Sequence, residues 1–149
     1  MIERQICTSP EIIKLLGCEN EEYPEEIIPY KHSFPHEYIP GTQDTTRRYI
    51  NYEIYATIDP RNNTFKDLTI YFFIVGHEDV IQHKENGRTY LWYDKAACEL
   101  DNIFCEKNVL GIGNTILVSN IPYSPQMKFK GRLLKFTVKD FNNGLRYGK

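Results

Sequence analysis

The sequence predicts an α+β fold: a four-stranded, mainly antiparallel sheet with one long amphipathic helix packed on a face, a short N-terminal helix and a long Pro-rich arm. Three observations carry that expectation. Residues 47–58 and 64–75 both read as strands and are separated by the turn cluster Asp59-Pro60-Arg61-Asn62-Asn63. Residues 89–106 carry one apolar stripe at helical spacing, and two further strands, 114–121 and 129–141, follow among glycines and prolines. Strands joined by a turn or by a single helix make two layers around one core. A chain of 149 residues has the length of one domain, so 1–149 is read as a single unit.

In order along the chain, the first element is a short helix. Ser9 is placed to cap it, Pro10 takes the tolerated first position, and Glu11 complements the positive end of the dipole. Ile12, Leu15 and Leu16 share a face with Ile13 beside them, and Gly17 ends the helix. Residues 18–46 form the arm. Pro24, Pro29, Pro35 and Pro40 argue against a helix or a central strand there. Yet Ile27, Ile28, Tyr30, Phe34, Tyr38 and Ile39 are too many apolar groups for a linker. Such an arm lies along a surface, either its own core or a neighbouring molecule's.

The first strand alternates, with Ile50, Tyr52, Ile54, Ala56 and Ile58 on one face and Tyr49, Asn51, Glu53, Tyr55 and Thr57 on the other. The second is apolar on both sides, which places it centrally. Gly76 to Gly87 reads as a polar loop. In the long helix, Tyr93, Ala96, Ala97, Leu100, Ile103 and Phe104 make the buried stripe, while Asp94, Glu99, Asp101 and Glu106 face water. Gly111 and Gly113 lead into the third strand, and Pro122 and Pro125 are expected to terminate it. In the fourth, Leu134, Phe136 and Val138 face inward, and Arg132, Lys135, Thr137 and Lys139 outward. The tail Asn142–Lys149 is expected to be mobile.

Composition excludes several function classes. A net charge of −2 does not build the positive field that nucleic-acid binding needs, and Lys128, Lys130, Arg132, Lys135 and Lys139 read as a solvated strand face. No run of 18 apolar residues is present for a membrane span, and the first ten residues lack the pattern of a signal peptide. The four cysteines are therefore expected as free thiols in a reducing compartment, with Cys98 and Cys105 in the core. Eleven tyrosines against one tryptophan suit half-buried sheet faces and protein interfaces.

No motif carries recognisable chemistry. His77-Glu78 begins like a zinc-protease pattern, but the next histidine, His83, stands six residues on rather than four. His32 and His36 have the right spacing, but Pro35 between them forbids the helix that would align them. The cysteines make no C-x-x-C pair, and Gly111-Ile112-Gly113 lacks a third glycine and follows a helix instead of opening one. A metal-dependent hydrolase using His77, Glu78, Asp79 and His83 is one rival reading; a peptide-binding module using the sheet edge is another. No catalytic, cofactor or metal residue is assigned.

The block from Ile74 to Val118 resembles small connector proteins of tailed bacteriophages and prophages: head–tail joining, tail-completion and tail-terminator proteins. The residues that carry the likeness are Ile74-Val75-Gly76-His77-Glu78-Asp79, Gly87-Arg88 leading to Tyr93-Asp94, Glu99-Leu100-Asp101-Asn102-Ile103-Phe104, and Gly111-Ile112-Gly113 before a strand ending at Val118-Ser119. They span about a third of the chain. The resemblance implies a structural virion protein, assembled in the host cytoplasm, that forms a homo-oligomeric ring at the phage neck. Its partners would be portal-side connector proteins and tail-tube proteins, with DNA passing through the lumen unbound. The interface candidates are Tyr30, Phe34 and Tyr38 on the arm, His77, Glu78 and Asp79 at the strand end, and Lys84 and Arg88 in the loop.

Overall fold

The computed structural model describes residues 1–41 and 45–141. In chain order its elements are α1 (Ile2–Thr8), α2 (Pro10–Leu15), α3 (Pro24–Ile27), β1 (Arg48–Asp59), β2 (Asn62–His77), a 3-10 turn (Glu78–Val80), β3 (Gln82–Glu85), β4 (Arg88–Leu91), α4 (Trp92–Phe104), β5 (Ile116–Gln126) and β6 (Phe129–Phe141). The fold is α+β. One four-stranded sheet, ordered β1-β2-β6-β5 and antiparallel throughout, carries the helices on one face. The expected tail, 142–149, lies outside the described residues.

The period-2 pattern of the strands decides which face the helices cover. Ile50, Ile70, Phe72, Ile74, Leu134, Phe136 and Val138 form one buried cluster with Ile2, Ile6, Ile12 and Leu15 of α1 and α2 and with Trp92, Ala96, Ala97, Leu100 and Phe104 of α4. Phe72 sits at its centre, stacked on Phe104 at 5.2 Å and meeting Phe136 edge-on at 5.7 Å. Burying side chains of that size contributes about 2 kcal/mol each, which is what holds the short helices in place. Ser9 caps α2 as its sequence suggests, accepting from the Ile12 N–H at 3.4 Å.

Several expectations need correction. Residues 2–8 form a helix, because Ile2 and Ile6 fall one turn apart and can both be buried under β1 and β2. The loop between Gly76 and Gly87 contains a hairpin, and the long helix begins at Trp92 rather than Thr89. The cause is Asn86-Gly87, both at positive φ (50° and 73°), which is the two-residue turn that joins antiparallel strands. Trp92 thereby becomes the first residue of the buried stripe. Strand β5 runs through Pro122 and Pro125 to Gln126, a placement that an outer strand tolerates because its outward side needs no N–H. Arg132 lies on the helix-covered face, where its Nε donates to Asp94 Oδ1 at 2.8 Å.

The cysteines also reverse the expectation. Cys98 is exposed and Cys105 half-buried, whereas Cys7 and Cys18 are in the core; all four are free thiols. Cys98 points away from the Ala97–Leu100 stripe of α4, while Cys7 follows Ile6 on the buried side of α1.

Candidate functional site

The second face of the sheet is covered at one end only, and the arm covers it. Beyond α3, backbone N–H groups of Ile50 and Tyr52 donate outward to His32 O (2.8 Å) and Phe34 O (3.0 Å). The buried Asn51 side chain pins the same segment twice, accepting from Phe34 N at 3.2 Å and donating to Tyr38 O at 2.9 Å. His32 Nδ1 donates to Arg48 O at 2.9 Å, and burial lowers the affinity of that ring for a second proton. Phe34 and Tyr38 stack at 4.0 Å and close over Tyr49, Val75 and Phe129, with Tyr123 of β5 at the far side. Tyr123 Oη donates to the Glu37 carboxylate, so the arm reaches across the sheet from β1 to β5. Of the two surfaces open to the arm, it takes its own core.

The rest of that face is open. Tyr55, Thr57, Thr69, Tyr71, Phe73 and Leu133 line a shallow depression beside Lys135, whose ammonium stands 5.9 Å from the centre of the Tyr71 ring. Strand β5 bounds the face as an outer strand with no charged side chain, and Ile116, Val118 and Ile121 are 59%, 52% and 48% exposed on it. Monomeric proteins protect such strands with lysines, prolines or a covering segment. Here Pro122 and Pro125 protect one half of β5, and an irregularity between Leu117 and Ser119 interrupts 116–121 without covering it.

The residues singled out from sequence fall in three places. Tyr30 (70% exposed), Phe34 and Tyr38 come together on the arm, although Phe34 and Tyr38 spend most of their surface on the second-face cluster. Glu78 and Asp79 sit exposed on the 3-10 turn, where Glu78 N donates to Lys128 O at 2.8 Å. His77 is 3% exposed, edge-on to Phe129, and its Nδ1 accepts from Asp79 N at 3.1 Å as the cap of that turn. Lys84 and Arg88 are exposed on the β3–β4 hairpin, away from both other groups. The rim residues Ile116, Val118 and Ile121 were not among the sequence candidates. The signal that could have found them is an eleven-residue strand with two prolines and no charge.

The opposite side of the molecule is built from ion pairs and carbonyl contacts. Arg48 donates through Nε to Val80 O (2.9 Å), through Nη1 to Leu15 O (2.8 Å) and through Nη2 to Gln82 O (2.7 Å), with its guanidinium 5.4 Å from the Trp92 ring centre. Glu85 accepts from Lys14 at 2.6 Å and from Lys95, and these two ammoniums hold its carboxyl down at about 2. Between α2 and α4 lies a groove lined by Glu11, Leu15, Tyr90, Asp94, Cys98 and Glu99. Two of its three carboxylates are engaged: Asp94 with Arg132 and Glu99 with Ser9. Among the described residues no three His, Cys, Asp or Glu side chains come together as a metal-binding group, the His77–His83 segment included.

No curated protein matches the chain. A family model, YomW, matches residues 9–138, from the cap of α2 to Val138 near the end of β6. That name derives from a Bacillus phage or prophage. With the match covering most of its length, the chain belongs to the YomW family, whose name points to a phage or prophage setting.

Proposed function

We propose that the protein is a structural, non-enzymatic virion subunit that forms a homo-oligomeric ring at the phage neck, joining the head connector to the tail tube or terminating the tail. The observation that carries this reading is the outer strand β5, uncharged, with Ile116, Val118 and Ile121 about half exposed beside an open, tyrosine-rich face. Large apolar surface of that kind marks a place where another molecule docks. Membership of a phage-related family and the resemblance to neck proteins name the setting. Ring building requires two different surfaces on each copy, so that contacts repeat head to tail and close. A mildly acidic chain suits a lumen through which DNA slides without being held. The ring forms in the host cytoplasm and meets portal-side and tail-tube proteins there.

Negative-stain electron microscopy of the purified protein, and of particles made with and without it, tests this reading. The expected result is annular particles in solution and, in its absence, heads and tails that do not join or tails of uncontrolled length. Wild-type particles that assemble normally without the protein would overturn it.

A further inference from the structure

We infer that two copies associate by antiparallel pairing of β5 (116–121) of one copy with the outer half of β1 (54–58) of the next, extending the sheet from subunit to subunit. The inference rests on the ring reading and names the contact that would build it. Four features of the sheet point to this pairing.

The first is that β1 and β5 are the two outer strands, and each is protected over only half its length. On β1 the arm takes the outward N–H groups of Ile50 and Tyr52. In an antiparallel strand alternate residues point their N–H and C=O the same way. The register of β1 on β2 is unbroken from Arg48 to Ile58, so Ile54, Ala56 and Ile58 also present theirs outward. Among the described residues no backbone group takes up those N–H groups. On β5 the prolines remove donors from the other half.

The second is that both open halves lie toward the same end of the sheet. Ile116 pairs with Thr137, Thr137 with Thr69, and Thr69 with Tyr55. The same reading across the sheet sets Ile121 level with Asn51, and Gln126 level with His77 at the covered end. Level placement sets 116–121 against 51–55, so pairing with 54–58 takes a stagger of about three residues, roughly 10 Å, of the kind that tilted strands supply in a closed sheet.

The third is polarity. Four alternating strands leave β1 and β5 running in opposite directions, so a copy joined side by side continues the antiparallel alternation. The fourth is charge. Glu53 and Asp59 flank the outer half of β1, while β6, one strand in from β5, bears Lys135 and Lys139 over the same levels, Lys139 standing 3.3 Å from Asp67. Head-to-tail joining sets opposite signs about two strand spacings apart, roughly 10 Å, where attraction is screened but present. Pairing β5 with β5 of a two-fold related copy would oppose like charges and leave β1 unused.

A mixing experiment tests this. Ala56→Pro removes an outward N–H from β1, and Val118→Glu with Ile121→Glu places negative charge on the β5 rim against Glu53 and Asp59. All three positions are exposed, and a thermal midpoint and circular dichroism spectrum like wild type establish folding; a β5 variant that fails this check is replaced by Val118→Ser with Ile121→Ser. Association is read by analytical ultracentrifugation and native mass spectrometry. The expected result is that each variant alone loses self-association at least tenfold, while the two mixed form a one-to-one heterodimer and nothing larger. That outcome arises because each partner retains the edge the other lacks. Rings that persist in both variants overturn the edge pairing and leave the ring reading standing. A β1 variant that dimerises as well as wild type, with a β5 variant that does not, replaces it with two-fold β5 pairing. Variants that form the mixed heterodimer, together with wild-type chains that associate but never close into annuli, keep the pairing and overturn the ring.

Discussion

Replacing Arg48 by methionine is expected to lower stability by about 3 kcal/mol. The substitution keeps the aliphatic stem against Trp92 and removes the fork that binds three carbonyl oxygens from three segments: Leu15 at the end of α2, Val80 at the end of the 3-10 turn, and Gln82 of β3. A hydrogen bond from a charged donor contributes about 1.5 kcal/mol net at the lower end of its range. Two of these bonds are partly buried, and the third, to Gln82, is exposed and counts for a fraction of that. The sum is about 3–4 kcal/mol, reduced somewhat by relief of the burial that depresses the guanidinium's pKa. For a domain of this length that is a fall of about 10 °C in melting temperature. Arg48→Lys separates geometry from charge, since one ammonium reaches one of three divergent carbonyls and should recover only about a third of the loss. Urea unfolding supplies the free energies, and hydrogen exchange shows whether Gln82–Leu91 loses protection before β2 does. A methionine variant within 1 kcal/mol of wild type, or a lysine variant equal to it, would refute the clamp.

Three other expectations concern different parts of the fold. Gly131→Ala puts a Cβ 1.6 Å from Ile74 O in the central strand pair, where both neighbours are backbone; it should cost about 3 kcal/mol or prevent folding, whereas Gly113→Ala, with nothing nearer than 3.9 Å, should stay within about 0.5 kcal/mol by chemical denaturation. Burial, reinforced by nearby Glu3 and Glu25, raises the Cys7 thiol from 9.0 to about 11, so the folded state holds its proton where the unfolded state releases it. Stability should decline as pH climbs from 9 through about 11, less steeply in Cys7→Ala; in the native protein at neutral pH, Cys98 should react with a thiol reagent far faster than Cys7 or Cys18. The Glu85 carboxyl is depressed, so its contribution is present above the ordinary 4.5 and lost as pH falls toward about 2; acid titration of Glu85→Gln should show a shallower decline over that window.

What was readable in the sequence follows from how local each signal is. The hairpin of β1 and β2, the span of β6 and the Ala96–Leu100 stripe rest on alternation or helical spacing within a dozen residues, and they appear where the pattern puts them. Helix α1 was missed because Ile2 and Ile6 make one turn of pattern, too little to register without the sheet they lie on. The β3–β4 hairpin was missed although Asn86-Gly87 announced it, because its strands are four residues long and polar. The fate of the arm was undecidable from composition, since aromatic groups among prolines suit its own core as well as a neighbour's. Asn51, which ties the arm to β1, looked like an ordinary outward residue of an alternating strand. The open rim depended on β6 inserting between β2 and β5, a pairing across more than fifty residues that no local pattern encodes.

The strap that runs from β1 to Tyr123 has a mechanical corollary. Held at both flanks, the strands near Tyr49, Val75 and Phe129 cannot part without unstacking Phe34 from Tyr38 and stripping both bonds from Asn51. Breathing of the sheet must begin at the opposite margin, around Phe65 and Phe141, whose rings lie stacked at 5.5 Å with much of their surface wet. The subunit thus has a stiff end and a yielding one, and amide protection should grade along every strand from the second toward the first.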